Sequence, residues 1–93
     1  MKVNFYATLR EKVGQKTVDF DIPPAATIGY LVQQMVTQFP ELRAALVEDD
    51  GQLRGHVHVF VNGRDVPYLE NQMETVLLEE DCVSVFPAVG GGS

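Results

Sequence analysis

One apolar stripe limits what this chain can become. Ile28, Leu31, Val32, Met35, Val36 and Phe39 recur at spacings of three and four, with Gln33, Gln34, Thr37 and Gln38 off the stripe. That period puts the six apolar side chains on one face of a helix. Thr27 stands where an N-cap is needed, and Pro40 stops the helix. Gly29 weakens the first turn by about 1 kcal/mol relative to Ala and predicts a close approach to a sheet. Met35 and Phe39 share the stripe and are read as core rather than as ligand contacts. In 93 residues, enough for one domain, this helix must bury its stripe against strands.

The strands are legible from alternation. Val3, Phe5 and Ala7 alternate with Asn4, Tyr6 and Thr8, and Val18, Phe20 and Ile22 alternate with Thr17, Asp19 and Asp21. The connection from Leu9 to Gln15 is predicted as a turn in which Gly14 takes positive φ, giving an antiparallel hairpin. Pro23-Pro24 ends the second strand. Glu41 to Val47 predicts a short second helix, ended by Glu48-Asp49-Asp50-Gly51. A strand from His56 to Val61 sets Val57, Val59 and Val61 on one face. Asn62-Gly63 is a turn signal, Val66 resumes a short strand, and Pro67 to Thr75 is irregular. Glu79-Glu80-Asp81 forms an acidic turn before the last strand, Val83 to Phe86.

One long helix covers only one face of a sheet, so the other face meets water or a partner. The order fits an α+β fold in which a mixed sheet, its two terminal strands central and parallel, cradles one main helix. This is the layout of the ubiquitin-like β-grasp architecture. Residues 1–86 would form that domain and residues 87–93 a flexible Gly-rich tail.

The formal net charge is -6. Phosphate neutralisation needs clustered Lys and Arg, and here the basic residues read as scattered, so no nucleic-acid partner is expected. An acidic surface would favour a partner with a basic docking face. No apolar run approaches the length of a membrane span, and the opening residues alternate like a strand rather than a signal peptide. A cytoplasmic protein with no membrane partner is expected.

Few residues suggest catalysis by the domain itself. There is no recognisable Ser-His-Asp motif. The terminal glycines have no helix after them, so they are not a phosphate-binding loop. His56 and His58 lie two apart on one strand, and two ligands are too few for a structural metal site. They read as an exposed strand pair. Cys82 is the one cysteine and reads as a small, partly buried residue, with nothing nearby to lower its pKa. No metal and no bound cofactor are expected.

The open face of the sheet is richer. The alternation that buries Val3, Phe5, Val59, Val83 and Val85 turns Tyr6, Phe60 and Phe86 outward. If their strands are neighbours, the three aromatics form a patch of the kind that marks a partner interface. A register slip, or cover from Pro67 to Thr75, would bury them instead. Phe86 leads directly into Pro87-Ala88-Val89-Gly90-Gly91-Gly92-Ser93. Seven extended residues reach roughly 23 Å at about 3.3 Å each. A strip of glycine can enter a channel that larger side chains would block.

Leu78 to Gly92 resembles the C-terminal signature of the MoaD/ThiS sulfur carriers: an acidic turn, an alternating strand, Phe-Pro-x-Val and a diglycine end. Val3 to Glu11 is similar to the MoaD opening strand, and His58-Val59-Phe60-Val61-Asn62-Gly63 to its middle strand and turn. The chain looks closest to the branch of CysO-like carriers and small archaeal modifiers. The resemblance implies that an ATP-using activating enzyme, related to ubiquitin activators, adenylates the carboxylate of Gly92. Sulfur then replaces AMP and leaves a thiocarboxylate. Gly90 and Gly91 belong to the threading tail, and Tyr6, Phe60, Phe86, Pro87 and Val89 to the partner interface.

The implied partners are that adenylating enzyme and a sulfur-accepting synthase. The synthase would be a molybdopterin synthase large subunit or a cysteine synthase, which places the chain in molybdenum cofactor or cysteine biosynthesis. The protein is then a co-substrate rather than an enzyme, or the small subunit of a molybdopterin synthase-type complex. Ser93 departs from the family pattern. With Ser93 in place the Gly92 carbonyl lies in a peptide bond, and a processing protease must expose it; without Ser93, Gly92 is the end. The same tail would also serve a ubiquitin-like modifier joined to target lysines.

Overall fold

The stripe forms the helix it predicts. In a computed structural model that describes residues 1–87, α2 runs Ile28–Gln38, with Ile28, Leu31, Val32, Met35 and Val36 buried. The Thr27 side chain accepts from the Tyr30 amide at 3.1 Å, satisfying one of the free N–H groups of the first turn. Gly29 approaches a turn and not the sheet: a Cβ there would lie 3.4 Å from the Met73 carbonyl oxygen.

Five strands make one mixed sheet: β1 (Lys2–Phe5), β2 (Thr17–Asp19), β3 (His58–Val61), β4 (Arg64–Asp65) and β5 (Val83–Phe86). Their order is β2-β1-β5-β3-β4. β1 and β5 are central and parallel, with Val3 opposite Val83 and Phe5 opposite Val85. The other pairings are antiparallel. One face carries Val3, Phe5, Val18, Val59, Val61, Val83 and Val85 into a core shared with α2 and with Leu42 and Leu46. Phe20 packs edge-on to both Phe5 and Phe39 and closes one side of that core.

The β1–β2 connection departs from the expected turn. It holds a short helix, α1 (Thr8–Val13), whose Leu9 and Val13 are buried. Ala7 at φ 54 bends the chain out of β1 first. Gly14 takes φ 87 and ends the helix, its amide donating to the Arg10 carbonyl, so the predicted glycine conformation holds. β2 ends at Asp19 rather than Ile22, although the Phe20 amide still bonds the Met1 carbonyl.

The second helical segment is split into a 3-10 turn, Pro40–Leu42, and α3, Arg43–Leu46. β3 begins at His58 rather than His56. Asn62 and Gly63 have φ of 54 and 84, the two positive values of a tight two-residue hairpin turn. β4 is over before Val66, which opens a 3-10 turn with Pro67 because proline cannot extend the ladder. Residues 67–75 pack towards α2, where the Ile28 amide donates to the Thr75 carbonyl at 3.0 Å. Among the described residues no helix is long and apolar enough to cross a membrane.

Candidate functional site: an aromatic face beside the C-terminal exit

The open face is organised by register. Parallel pairing of Phe5 with Val85 brings the next residues, Tyr6 and Phe86, side by side. Their rings stack, 4.3 Å between centroids and 8° between planes. Phe60, on β3, meets Phe86 edge-on at 5.3 Å and 89°. The edge-on arrangement suits the ring quadrupole. The three predicted aromatics are therefore contiguous, each half-buried by its neighbours. The segment from Pro67 to Thr75 runs on the helix side and leaves them uncovered. Pro87 follows Phe86 at the edge of this patch. Val89, Gly90, Gly91 and Gly92, the other predicted site residues, lie outside the described residues.

His58 extends the patch. It stands opposite Phe86 across the β3–β5 ladder, with its ring 6.1 Å from that of Phe60. Its Nδ1 lies 2.7 Å from Oδ2 of Asp65 on β4. Sequence reasoning paired His58 with His56; the structure pairs it with Asp65 across the hairpin and leaves His56 exposed before the strand. The turn signal at Asn62-Gly63 could have found this pair, since a two-residue turn sets residues 60 and 65 opposite each other and leaves residue 58 diagonal to 65 on the same face. Among the described residues no group of three His, Cys, Asp or Glu side chains is placed to hold a metal ion.

Cys82 is exposed, not partly buried as the sequence suggested. It precedes β5 on the same parity as Ser84 and Phe86, so it points to the open face. Its amide donates to Asn62 Oδ1 at 2.9 Å, and Asn62 Nδ2 donates to Asp81 Oδ1 at 2.9 Å. This network pins the acidic turn to the β3–β4 hairpin and fixes where β5 starts. The basic residues are less scattered than they read. Arg10, Lys12 and Lys16 fall within one short segment, and residues 17–42 contain no Lys or Arg.

A sheet whose central C-terminal strand leaves beside an aromatic face, with one long helix on the other side, defines a ubiquitin-like β-grasp domain. The chain belongs to the ThiS family, which it matches over residues 3–92. Small archaeal modifier protein 3 of Haloferax volcanii is 40% identical over 92 residues, covering 99% of this chain and 98% of that protein. The crystal structure of SAMP1 from the same organism has a TM-score of 0.86 at 30% identity, covering 98% of this chain and 97% of that one. A chain in the BexX/CysO complex of Amycolatopsis orientalis has a TM-score of 0.79 at 26% identity, covering 98% of each. The relatives are small ubiquitin-like carrier and modifier proteins rather than catalytic enzymes.

Proposed function

We propose that this chain is a sulfur carrier whose Gly92 carboxylate is converted to a thiocarboxylate. One observation carries the reading. In a ThiS-family chain, β5 ends at Phe86 inside a half-buried aromatic cluster on the open face, and the sequence runs on into Pro87 and then Gly90-Gly91-Gly92. A docking face and a thin acyl-bearing arm then share one strand. The partner grips Tyr6, Phe60 and Phe86, with Pro87 and Val89 at the mouth, while the glycines thread to its reacting centre.

The chemistry is acyl activation. A carboxylate oxygen of Gly92 attacks the α-phosphorus of ATP and expels pyrophosphate. Hydrosulfide then adds to the acyl carbon of the adenylate and expels AMP, leaving the thiocarboxylate. The ATP site and the catalytic groups belong to an adenylating enzyme of the ubiquitin-activating type. The domain supplies the handle and the arm. A chain carrying Ser93 must first lose it, because an amide has no free carboxylate. The acceptor is a molybdopterin synthase large subunit or a cysteine synthase, in the cytoplasm; a CysO relative is seen in complex with BexX.

The test is mass spectrometry of protein ending at Gly92 after incubation with its adenylating enzyme, ATP and sulfide. A gain of about 16 Da, oxygen exchanged for sulfur, is expected. Unchanged mass overturns the reading.

The names of the archaeal relatives favour a second reading, a protein modifier joined through Gly92 to lysines of targets. It predicts a ladder of conjugates in cells that disappears when Gly92 is deleted.

A further inference from the structure

We infer that the end of the domain from which the tail departs carries a basic docking spot, built by Lys12 and Lys16 with Arg10, that receives an acidic protein face of the adenylating partner. The inference rests on the carrier reading above. It runs against the net charge, which by itself points to a basic partner.

The backbone places these cations. The Phe5 amide donates to the Lys16 carbonyl at 2.7 Å, and the Tyr6 amide donates to the Val85 carbonyl at 3.2 Å. Lys16, Phe5-Tyr6 and Val85-Phe86 thus follow one another across the same end of the sheet. With neighbouring strands about 4.8 Å apart, the Lys16 backbone lies about 10 Å from the end of β5. Arg10 is held at that end by Nε donating to the Phe5 carbonyl at 3.4 Å. Lys12 lies on the same short helix. All three are exposed, and none forms an ion pair among the described residues. Glu11 is the one acid in residues 10–16, and Glu41, on the 3-10 turn packed against α1, is a further acid on that side.

The opposite end of the sheet is richer in acids, which there outnumber Lys2, Arg64 and the Met1 ammonium. Asp19 sits there across from Lys2, its carboxylate 3.0 Å from the Met1 ammonium. Asp19, Asp21 and Glu79 line a cleft of about 730 Å³ floored by Phe20, Ile22 and Leu77; among the described residues no Lys or Arg lines it, and Met1 brings its ammonium. The β1–β2 side of the domain is therefore electrically polar along its strands. A basic partner would be drawn to the end remote from the tail. An acidic face would be drawn to the end that carries it, in the orientation that delivers Gly92. Charges at the rim of an interface act mainly on encounter rate and salt dependence. Three cations on a chain of net charge -6 are a poor match for a nucleic-acid backbone, which needs several phosphates neutralised together.

ATP–pyrophosphate exchange with the adenylating enzyme, as a function of carrier concentration, tests this. Lys12→Glu/Lys16→Glu should raise KM about ten-fold at low salt with kcat unchanged, and the gap should close at about 0.5 M salt. Lys12→Gln/Lys16→Gln should fall between, separating charge from damage to α1. Asp19→Lys/Asp21→Lys, at the far end, should leave KM unchanged. An unaltered KM in the Glu variant, an equal effect from the far end, or a defect that persists in high salt overturns the inference alone. Retention of single-stranded RNA by wild type and not by the Glu variant would assign the spot to nucleic acid and overturn it too. All variants are made on protein ending at Gly92, and if that protein without substitutions supports no exchange, the carrier reading is overturned and this inference with it.

Discussion

The ring of Tyr6 lies flat against that of Phe86, 4.3 Å away, although the two residues stand at opposite ends of the chain. The stack is produced by parallel pairing of β1 with β5. Without that register Tyr6 would have no ring partner on the open face, and Phe86 would keep only Phe60. The contact thus belongs both to the fold and to the proposed docking surface, and the two roles can be separated by measurement.

A double-mutant cycle on Tyr6→Ala and Phe86→Ala, read by denaturant unfolding, should give a coupling of about 0.5–1.5 kcal/mol. In pyrophosphate exchange each single variant should lose at least about ten-fold in kcat/KM. Loss of stability with undiminished exchange would make the stack purely structural.

Deleting Gly92, or replacing it with a bulky residue such as Trp, should abolish the mass gain of about 16 Da without moving the unfolding midpoint. The tail is proposed to carry the acyl group and contribute nothing to the core. A midpoint shift of several degrees would contradict that division of labour.

Thr27→Ala should cost about 1 kcal/mol, because the Tyr30 amide loses its acceptor at the start of α2. Leu31→Ala should cost about 2–5 kcal/mol, since Leu31 is fully buried in the core cluster. Urea unfolding of both variants checks the ranking; a larger loss from the cap than from the core would overturn it.

Thr75→Val should stabilise the protein by about 1 kcal/mol. Among the described residues the buried Thr75 hydroxyl has no hydrogen-bond partner, while its carbonyl, which the substitution keeps, holds the first turn of α2. Valine has the same shape and no polar atom to leave unpaired. A destabilised variant would show that the hydroxyl has a partner after all.

Most of the sheet was legible because alternation is a strong signal when one face is buried and the other open. Val3, Phe5, Val59, Val83 and Val85 could point only one way, and that fixed Tyr6, Phe60 and Phe86 on the other. The helix at Thr8–Val13 was missed because only Leu9 and Val13 mark it, and a four-residue spacing with a glycine behind it also suits a turn. The exposure of Cys82 was misjudged for want of its neighbours: Asn62, which holds its amide, comes from the turn of the β3–β4 hairpin. The His58–Asp65 pair and the charge polarity are both products of pairing. They connect residues that are unremarkable one at a time.

The position of β5 has a mechanical consequence. It is flanked on both sides, by β1 and by β3, and it runs straight toward the tail. A pull on the tail therefore acts along the strand and loads both ladders together in shear. The strand cannot be peeled away one bond at a time, as an edge strand could. If the proposed partner draws the glycines into its active site, the load spreads across both ladders. The handle is anchored where it resists force best.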